Sequence, residues 1–162
     1  MGSFVKKYLL VFLISMVPVI ELRGAIPYGI GVQGLPILDT YIVAIIGNIV
    51  VVPFLVVFSE KILRWLAGFR KVGPFFQKII DRAQAKAESK RFKRGSYAAL
   101  FLFVAIPLPG TGAWTGSLIA ALLQMDWKKA FLIISLGVVS AGVIMALLSA
   151  GIFGSFGASL SF

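Results

Sequence analysis

A short apolar stretch near the start of the chain contains two opposite charges. Glu21 and Arg23 lie within the otherwise apolar segment 17–27, which is bracketed by Pro18 and Pro27. Ionisable side chains at bilayer depth cost about 2.5 to 3.5 kcal/mol each on insertion scales and usually line a pathway or a cavity. Prolines interrupt a helix and leave backbone groups that need other partners. The stretch therefore predicts a substrate or proton site beside an interrupted helix.

The spacing of the two charges leaves their role open. Side chains two residues apart do not face each other on a regular helix, so a direct pair between Glu21 and Arg23 requires an interrupted helix. One interpretation is a structural ion pair that pins the tip of a hairpin. In the other, Glu21 is a proton or cation site and Arg23 anchors an anionic headgroup or supplies a counter-charge. Burial favours a neutral carboxyl group and a nearby arginine favours a charged one, so the sequence leaves the charge of Glu21 open.

A second interrupted segment, 107–116, offers hydroxyls and free backbone amides but no charge. Amides at the start of a helix favour anions, and glycines permit close backbone approach. Close helix packing in lipid is the alternative interpretation of this segment.

Asn48 lies near the middle of its own apolar stretch, from which it could reach the charged pair or serve in helix packing. The predicted substrate or proton site comprises Glu21, Arg23, Pro27, Asn48, Pro109, Gly110, Thr111, Gly112 and Trp114.

The composition is that of a polytopic membrane protein. Of 162 residues, 59% are hydrophobic and 14% are charged, and segments 41–58 and 130–153 are long enough to span a bilayer. The chain has no cysteine and no histidine, which removes disulfides, thiol and imidazole chemistry and the usual zinc and haem ligands. We therefore expect no metal and no cofactor. Without His, Cys or an intramembrane Lys to pair with a Ser or Thr nucleophile, we also expect no enzymatic activity.

Two further apolar regions, 4–38 and 97–125, are interrupted near their centres. A helical arm of about 13 residues reaches only about 20 Å, short of the roughly 30 Å hydrocarbon core. Re-entrant hairpins therefore fit these regions, and two full but broken spans are the alternative. Counting basic residues does not choose between them, because both arrangements put thirteen inside and two outside.

The chain divides into two similar halves within a single membrane domain, 1–162. In each half an interrupted region is followed by an Asp-containing turn and then by a long span, with Gly47 or Gly137 in a comparable position. If both interrupted regions are hairpins, the halves cross the membrane in opposite directions, as in the inverted repeats of secondary transporters. The first repeat is 1–59 and the second is 96–162.

The segment between the halves, 60–95, is strongly basic. It holds eleven of the sixteen basic residues and three acidic ones, which indicates a cytoplasmic position. Its sequence predicts an amphipathic helix over 74–94, ended by Gly95. The basic face of this helix is suited to an anionic leaflet, whereas the lack of interleaved aromatics argues against nucleic acid. That basic stripe consists of Lys78, Arg82, Lys86 and Lys90.

Two motifs carry a resemblance to known proteins. They are the element Glu-x-Arg-x-x-x-Pro, from Glu21 to Pro27, and the element Pro-x-Pro-Gly-Thr-Gly-Ala-Trp-Thr-Gly over 107–116. On these motifs the chain resembles the small multi-drug export family, which is distantly related to the DedA group with its VTT domain. That group carries an acidic residue before a proline in its first hairpin and Pro-Gly-x-Arg in its second, where this chain has Gly112 in place of the arginine. The resemblance implies export, or proton-linked movement of a polyprenyl phosphate lipid.

The sequence thus predicts an all-α protein of the bacterial or archaeal cytoplasmic membrane. Two re-entrant hairpins and two transmembrane helices form its inverted repeat, joined by the cytoplasmic amphipathic helix. We expect a transporter or flippase for an amphipathic substrate, either a lipid phosphate or a drug-like compound, coupled to protons through Glu21. Four short membrane segments scarcely wall off a pathway, so we also expect a homodimer. The alternative is a non-transporting scaffold that recruits a partner or anionic lipid through its basic helix.

Overall fold

The computed structural model describes residues 2–68, 73–74, 77, 81 and 90–159. These ranges contain six α-helices and no β-strand, so the predicted all-helical class is confirmed. The helices are α1 (Gly2–Met16), α2 (Glu21–Pro27), α3 (Ile37–Ala67), α4 (Lys90–Ala105), α5 (Ala113–Leu122) and α6 (Trp127–Ser159).

Two of the helices are long and apolar enough to cross a membrane. The segment Ile37–Phe58 of α3 is 22 residues long and Trp127–Ile152 of α6 is 26, and only 33% of an apolar 18-residue stretch in each is buried inside the protein. The outward faces carry large apolar side chains, among them Phe54 at 71% exposure and Leu147 at 69%. Continuous apolar surface of this kind is unfavourable in water. These faces are suited to contact with lipid, and the predicted spans lie inside the two helices.

The first interrupted region consists of α1, a turn at 17–20, and α2. Val19 (φ 71°) and Glu21 (φ 50°) have positive φ angles, which residues with side chains rarely adopt and a β-branched valine adopts only at a cost. This turn separates the two helices. The interruption is narrower than the sequence predicts, because Gly24 and Pro27 both lie inside α2.

The helix continues past Pro27 as a π-helical turn, Tyr28–Val32. In this turn the Gln33 N–H donates to the Tyr28 carbonyl at 3.0 Å, one residue further along than in an α-helix. Proline lacks an N–H and crowds the carbonyl four residues earlier. Both effects act on the turn before Pro27 and leave the N–H groups after it free to continue the helix.

The second interrupted region consists of α4, the segment 106–112 and α5. Gly110 (φ 80°) and Gly112 (φ 139°) have backbone angles that glycine adopts far more readily than other residues. In contrast to the prediction, α4 passes through Gly95 without a break. A glycine in a helix costs only about 1 kcal/mol relative to alanine, and no proline follows Gly95 to stop the helix before Ala105.

α1 runs alongside the first half of α3 in the same direction. At the beginning of α3, the Tyr8 hydroxyl donates to Asp39 Oδ2 at 2.9 Å. Further along both helices, Gly47 lies so close to α1 that a Cβ there would collide with Ser15 and stand 2.6 Å from the Phe12 carbonyl oxygen. A glycine at this position therefore allows the two helices to touch.

α4 and α6 pack in the same manner. A Cβ at Gly137 would stand 2.7 Å from Val104 Cβ and 3.3 Å from the Phe101 carbonyl oxygen. Gly137 is the eleventh residue of α6, just as Gly47 is the eleventh of α3. In both halves the glycine thus contacts a carbonyl of the first helix of that half and the side chain three residues after that carbonyl.

α3 and α6 lie beside each other in opposite directions. Tyr41, near the start of α3, donates from its hydroxyl to the Val139 carbonyl at 3.4 Å, and its ring lies against Gly142. The start of α3 therefore lies beside the middle of α6. A groove of about 290 Å³ between these parts is lined by Ile37, Leu38, Tyr41, Val143, Ala146 and Leu147.

The short helix of each half packs against the long helix of the other half. α5 packs against α3, and α2 packs against α6. Leu22 and Ile26 of α2 join Leu100 of α4 and Ile134 of α6 in one buried cluster, each at most 2% exposed. The interrupted regions are therefore held between the two long helices.

The linker is described only in part. Within the predicted helix 74–94, Gln77 Nε2 donates to Asp81 Oδ1 at 2.9 Å, the four-residue spacing of a helical contact. Lys90 is the first residue of α4. The other residues of the predicted basic stripe lie outside the described residues; they are Lys78, Arg82 and Lys86.

A side-chain cap fixes the start of α6, and this gives a first prediction. Asp126 Oδ1 accepts the Lys129 N–H at 3.0 Å. Such an N-cap contributes about 1 kcal/mol, so we expect Asp126→Ala to lower the free energy of unfolding of the purified protein in detergent by about that amount. Asp126→Asn retains a capping oxygen and should stay within about 0.5 kcal/mol of wild type. Equal losses in both variants would contradict the capping role.

Candidate functional site

Glu21 is the buried centre of the candidate site. Its side chain is only 3% exposed. Oε1 accepts the Trp114 N–H at 3.0 Å and Oε2 accepts the Ala113 N–H at 3.3 Å. These are the first two residues of α5, whose N–H groups have no partner within their own helix. The carboxylate therefore caps a helix of the other half of the chain, where the positive end of the helix dipole favours a negative charge.

The backbone on both sides allows this close approach. Glu21 begins α2 directly after the turn, and its positive φ angle sets the direction of its side chain. On the opposite side Gly112 precedes α5, and a Cβ there would collide with Glu21 Oε2 and stand 2.7 Å from Arg23 Nη1. The carboxylate thus occupies the space that a side chain at Gly112 would need.

Arg23 joins the carboxylate to the end of α4. Its Nη1 lies 3.6 Å from Glu21 Oε2. Its Nη2 donates to Thr111 Oγ1 at 2.7 Å and, more weakly, to the carbonyls of Val104 and Ile106, both at 3.4 Å. The carbonyls at the end of a helix carry the negative end of its dipole and favour a cation. The two charges of the pair therefore complement the two helix ends that the interruption creates.

Thr111 holds the interrupting segment together. Its hydroxyl accepts from Arg23, and it lies 2.8 Å from the Ile106 carbonyl and 2.9 Å from the Leu108 carbonyl, either of which accepts its proton. Removing this hydroxyl would leave one donor of Arg23 and the two carbonyls with fewer partners. Thr111 therefore positions both the arginine and the loop.

Trp114 makes the reciprocal contact. Its backbone N–H binds Glu21, while its indole Nε1 donates to the Met16 carbonyl at 3.3 Å. Met16 is the last residue of α1. Each half thus sends one donor side chain, Arg23 or Trp114, to the end of the first helix of the other half.

The structure brings together five of the predicted site residues: Glu21, Arg23, Thr111, Gly112 and Trp114. Pro109 and Gly110 lie on the exposed side of segment 106–112, and Pro27 is the last residue of α2. Asn48 is buried in α3 at 1% exposure and, within the described residues, forms no hydrogen bond with the charged pair. The groove between α3 and α6 is lined by none of these residues.

Sequence reasoning missed the backbone partners of the pair. These are the N–H groups of Ala113 and Trp114, which bind Glu21, and the carbonyls of Val104 and Ile106, which accept from Arg23. The sequence did predict free amides at the second interruption and their preference for an anion, but it offered no signal that the anion is Glu21. Among the described residues, no three His, Cys, Asp or Glu side chains are grouped as metal ligands would be.

These observations define a helical membrane protein in which two interrupted regions meet at a buried carboxylate and guanidinium. The chain belongs to the family described as "Putative small multi-drug export protein", which it matches over residues 21–144. The match begins at Glu21 and includes every residue of the candidate site except the Met16 carbonyl. Comparison with curated proteins and with solved structures gives no significant match.

Proposed function

We propose that this protein is a proton-coupled transporter or flippase that moves an amphipathic molecule across a bacterial or archaeal cytoplasmic membrane. The observation that carries the proposal is the buried Glu21 carboxylate, whose donors Ala113 and Trp114 belong to the other half of the chain. Ionisable groups inside membrane proteins usually mark substrate or proton pathways. The export description of the family supports a transport role.

The contacts of α1 support a re-entrant first hairpin. Lys7 Nζ donates to the Gln33 carbonyl at 2.8 Å, so the chain after α2 lies beside the early part of α1. The tip of this hairpin, the turn at 17–20, directly follows α1. The last turn of α1 contacts Gly47, which lies ten residues after the start of α3. At 1.5 Å per residue, this contact lies about 15 Å along the axis of α3, or half of a 30 Å hydrocarbon core.

The matching contacts of the second half support an inverted repeat. Gly137 contacts α4, and its position in α6 is the one that Gly47 has in α3. The helices α3 and α6 run in opposite directions. Two tips that each enter about 15 Å from opposite faces meet at the centre of the bilayer. This is where secondary transporters with inverted repeats bind their substrates.

In the proposed mechanism, Glu21 controls the contact between the two halves. The ionised carboxylate binds the α5 amides and Arg23 and thereby holds the tips together. A proton on Glu21 removes the charge that these donors bind, which weakens the contact. The first turn of α5 and the guanidinium then become available to the polar end of a substrate while one half rocks against the other.

The substrate is proposed to be amphipathic because the polar site is surrounded by apolar, lipid-facing helices. A lipid phosphate would use Arg23 and the α5 amides, whereas a cationic drug would use Glu21. The second motif has Gly112 where the DedA group has an arginine, so both substrate classes stay in the proposal. A homodimer is proposed as the functional unit, since each protomer supplies only two full spans to wall off a pathway.

Transport by reconstituted protein tests this proposal. We expect wild-type protein in liposomes with a pH gradient to transport a polyprenyl phosphate or a cationic drug. Glu21→Gln keeps the shape of the side chain but cannot take up and release a proton, so its pH-driven uptake should fall to that of protein-free liposomes. The matched control is Asp126→Asn, which neutralises an exposed carboxylate and should transport like wild type.

The same assay separates the rival interpretations. Unchanged pH-driven transport in Glu21→Gln would overturn proton coupling through this residue. If the protein is instead a scaffold, Glu21→Gln should leave recruitment intact, and neutralising the linker stripe should abolish it. If the protein is a transporter, Glu21→Gln should impair its function more than neutralising the basic stripe of the linker does.

A further inference from the structure

Two polar side chains on the buried face of α3 have no hydrogen-bond partner among the described residues. Thr40 is 0% exposed and Asn48 is 1% exposed. Within the part of the chain that the structure describes, Thr40 Oγ1 and Asn48 Nδ2 form no hydrogen bond. Buried polar groups in native proteins are almost always paired, with ordered water where protein groups do not reach. In lipid this requirement is stricter, because no bulk water is present to replace the missing partner.

The two groups lie on one continuous ridge of α3. Buried residues follow one another every four positions along it, and the ridge consists of Thr40, Ala44, Asn48, Val52 and Val56. Thr40 and Asn48 are eight residues apart, about 12 Å along the helix axis. About three water molecules in single file, with oxygens about 2.8 Å apart, span this distance. Between the two polar residues the ridge carries only the small side chain of Ala44.

The ridge joins one membrane face to the depth of the candidate site. Thr40 directly follows Asp39, an exposed residue that accepts the Tyr8 hydroxyl. Asn48 directly follows Gly47, which contacts Ser15 just before the tip that carries Glu21. Lys7, which binds the Gln33 carbonyl, lies at the same face as Asp39. The polar positions thus lead from a charged surface to the level of the buried pair.

The equivalent ridge of α6 has no polar member, although beside it the Oγ of Ser135 also forms no hydrogen bond within the described residues. It consists of Ala130, Ile134, Val138, Gly142 and Ala146, all of them buried. The position that corresponds to Thr40 is Ala130, and the position that corresponds to Asn48 is Val138. Ile134 fills the place where the first half has Ala44. The two halves therefore share a packing pattern but differ in polarity along this ridge.

We propose that Thr40 and Asn48 bind internal water molecules that form a hydrated route along α3, from the face near Asp39 to the depth of Glu21. The route is one-sided because the corresponding ridge of α6 is apolar. This inference rests on the proposed function, for which it supplies the path that connects the buried carboxylate to water. Under the proposed topology, that path opens on the side opposite the basic linker.

Thiol labelling tests the route. The chain has no cysteine, so single cysteines need no altered background. The four variants are Thr40→Cys, Asn48→Cys and the matched controls Ala130→Cys and Val138→Cys. Thiols react as thiolates, which form in water and not in an apolar interior. We expect Ag⁺, a membrane-impermeant thiol reagent small enough to follow a single file of water, to label both α3 variants in liposomes roughly tenfold faster than both α6 variants, and only from the side opposite the linker.

Three outcomes would overturn the inference. They are labelling of Asn48→Cys as slow as that of Val138→Cys, equal labelling of all four variants, and labelling from the linker side. Labelling after denaturation and size-exclusion profiles check that each variant contains a reactive thiol and is folded. If a variant does not fold, water-edited solid-state NMR of the wild-type protein gives the same comparison, with water cross-peaks expected at Thr40 and Asn48 and not at Ala130 and Val138.

The result is independent of the transport assay. If the ridge is dry while wild-type protein transports and Glu21→Gln does not, the route is wrong and the proposed function stands. If the ridge is hydrated while neither substrate is transported, the route stands and the proposed function loses its support.

Discussion

Gly112→Ala is expected to destabilise the protein more than any other single methyl addition in the site. The φ angle of 139° at Gly112 lies where residues with a Cβ are strained, and the new methyl group would collide with Glu21 Oε2. Strain of this kind costs about 1 to 3 kcal/mol, and displacing the carboxylate would also uncap α5. We therefore expect a loss of at least about 3 kcal/mol in the free energy of unfolding in detergent.

Gly110→Ala is the matched control for this variant. Gly110 also has a positive φ angle, 80°, but an added Cβ would meet no atom within 4 Å. Its cost should be that of the backbone alone, about 1 to 2 kcal/mol. If both variants lose the same stability, the contact between Gly112 and the charged pair does not contribute.

Arg23→Met is expected to be nearly as damaging, because it leaves Glu21 buried without its counter-charge. Methionine occupies a similar volume, so the main loss is electrostatic, together with the bond to Thr111 at 2.7 Å. Removing one partner of a buried ion pair typically costs about 3 to 5 kcal/mol. The α5 amides still bind the carboxylate, so we expect the lower end of this range, measured as the free energy of unfolding in detergent.

A double-mutant cycle shows whether this loss comes from the pair. In Glu21→Gln/Arg23→Met neither residue is charged, so the double variant should be more stable than the sum of the two single losses predicts, by about 1 to 3 kcal/mol. Lys61→Met removes an exposed charge from α3 and should change stability by less than about 0.5 kcal/mol. Additive losses in the cycle would contradict a direct interaction between Glu21 and Arg23.

The stability variants and the transport assay address different roles of one pair. A purely structural pair would give Glu21→Gln lower stability without a specific loss of pH-driven uptake. A pair that also works in transport would give that loss in protein that remains folded. Size-exclusion chromatography and thermal unfolding of Glu21→Gln before reconstitution make the two cases distinguishable.

The sequence alone determined the elements that depend on composition and local pattern. The two long spans follow from uninterrupted apolar runs, and both lie in the structure inside α3 and α6. The sequence also predicts an Asp-containing turn before the second span, and its aspartate, Asp126, caps α6. Two interruptions also follow from proline and glycine, although the structure confines them to 17–20 and 106–112, inside or beside the predicted segments 17–27 and 107–116. These features were predictable because each rests on residues close together in the chain.

The tertiary structure alone decided what each interruption faces. The positive φ of Glu21 carries no sequence signal, since glycine is the residue usually found there, and Gly24 and Pro27, which looked like helix breakers, lie inside α2. Glu21 is 92 residues from its partner Ala113, and no local pattern encodes a contact between backbone amides and a distant carboxylate. Helix ends create unpaired groups wherever they occur, but which charge satisfies them depends on how the two halves pack.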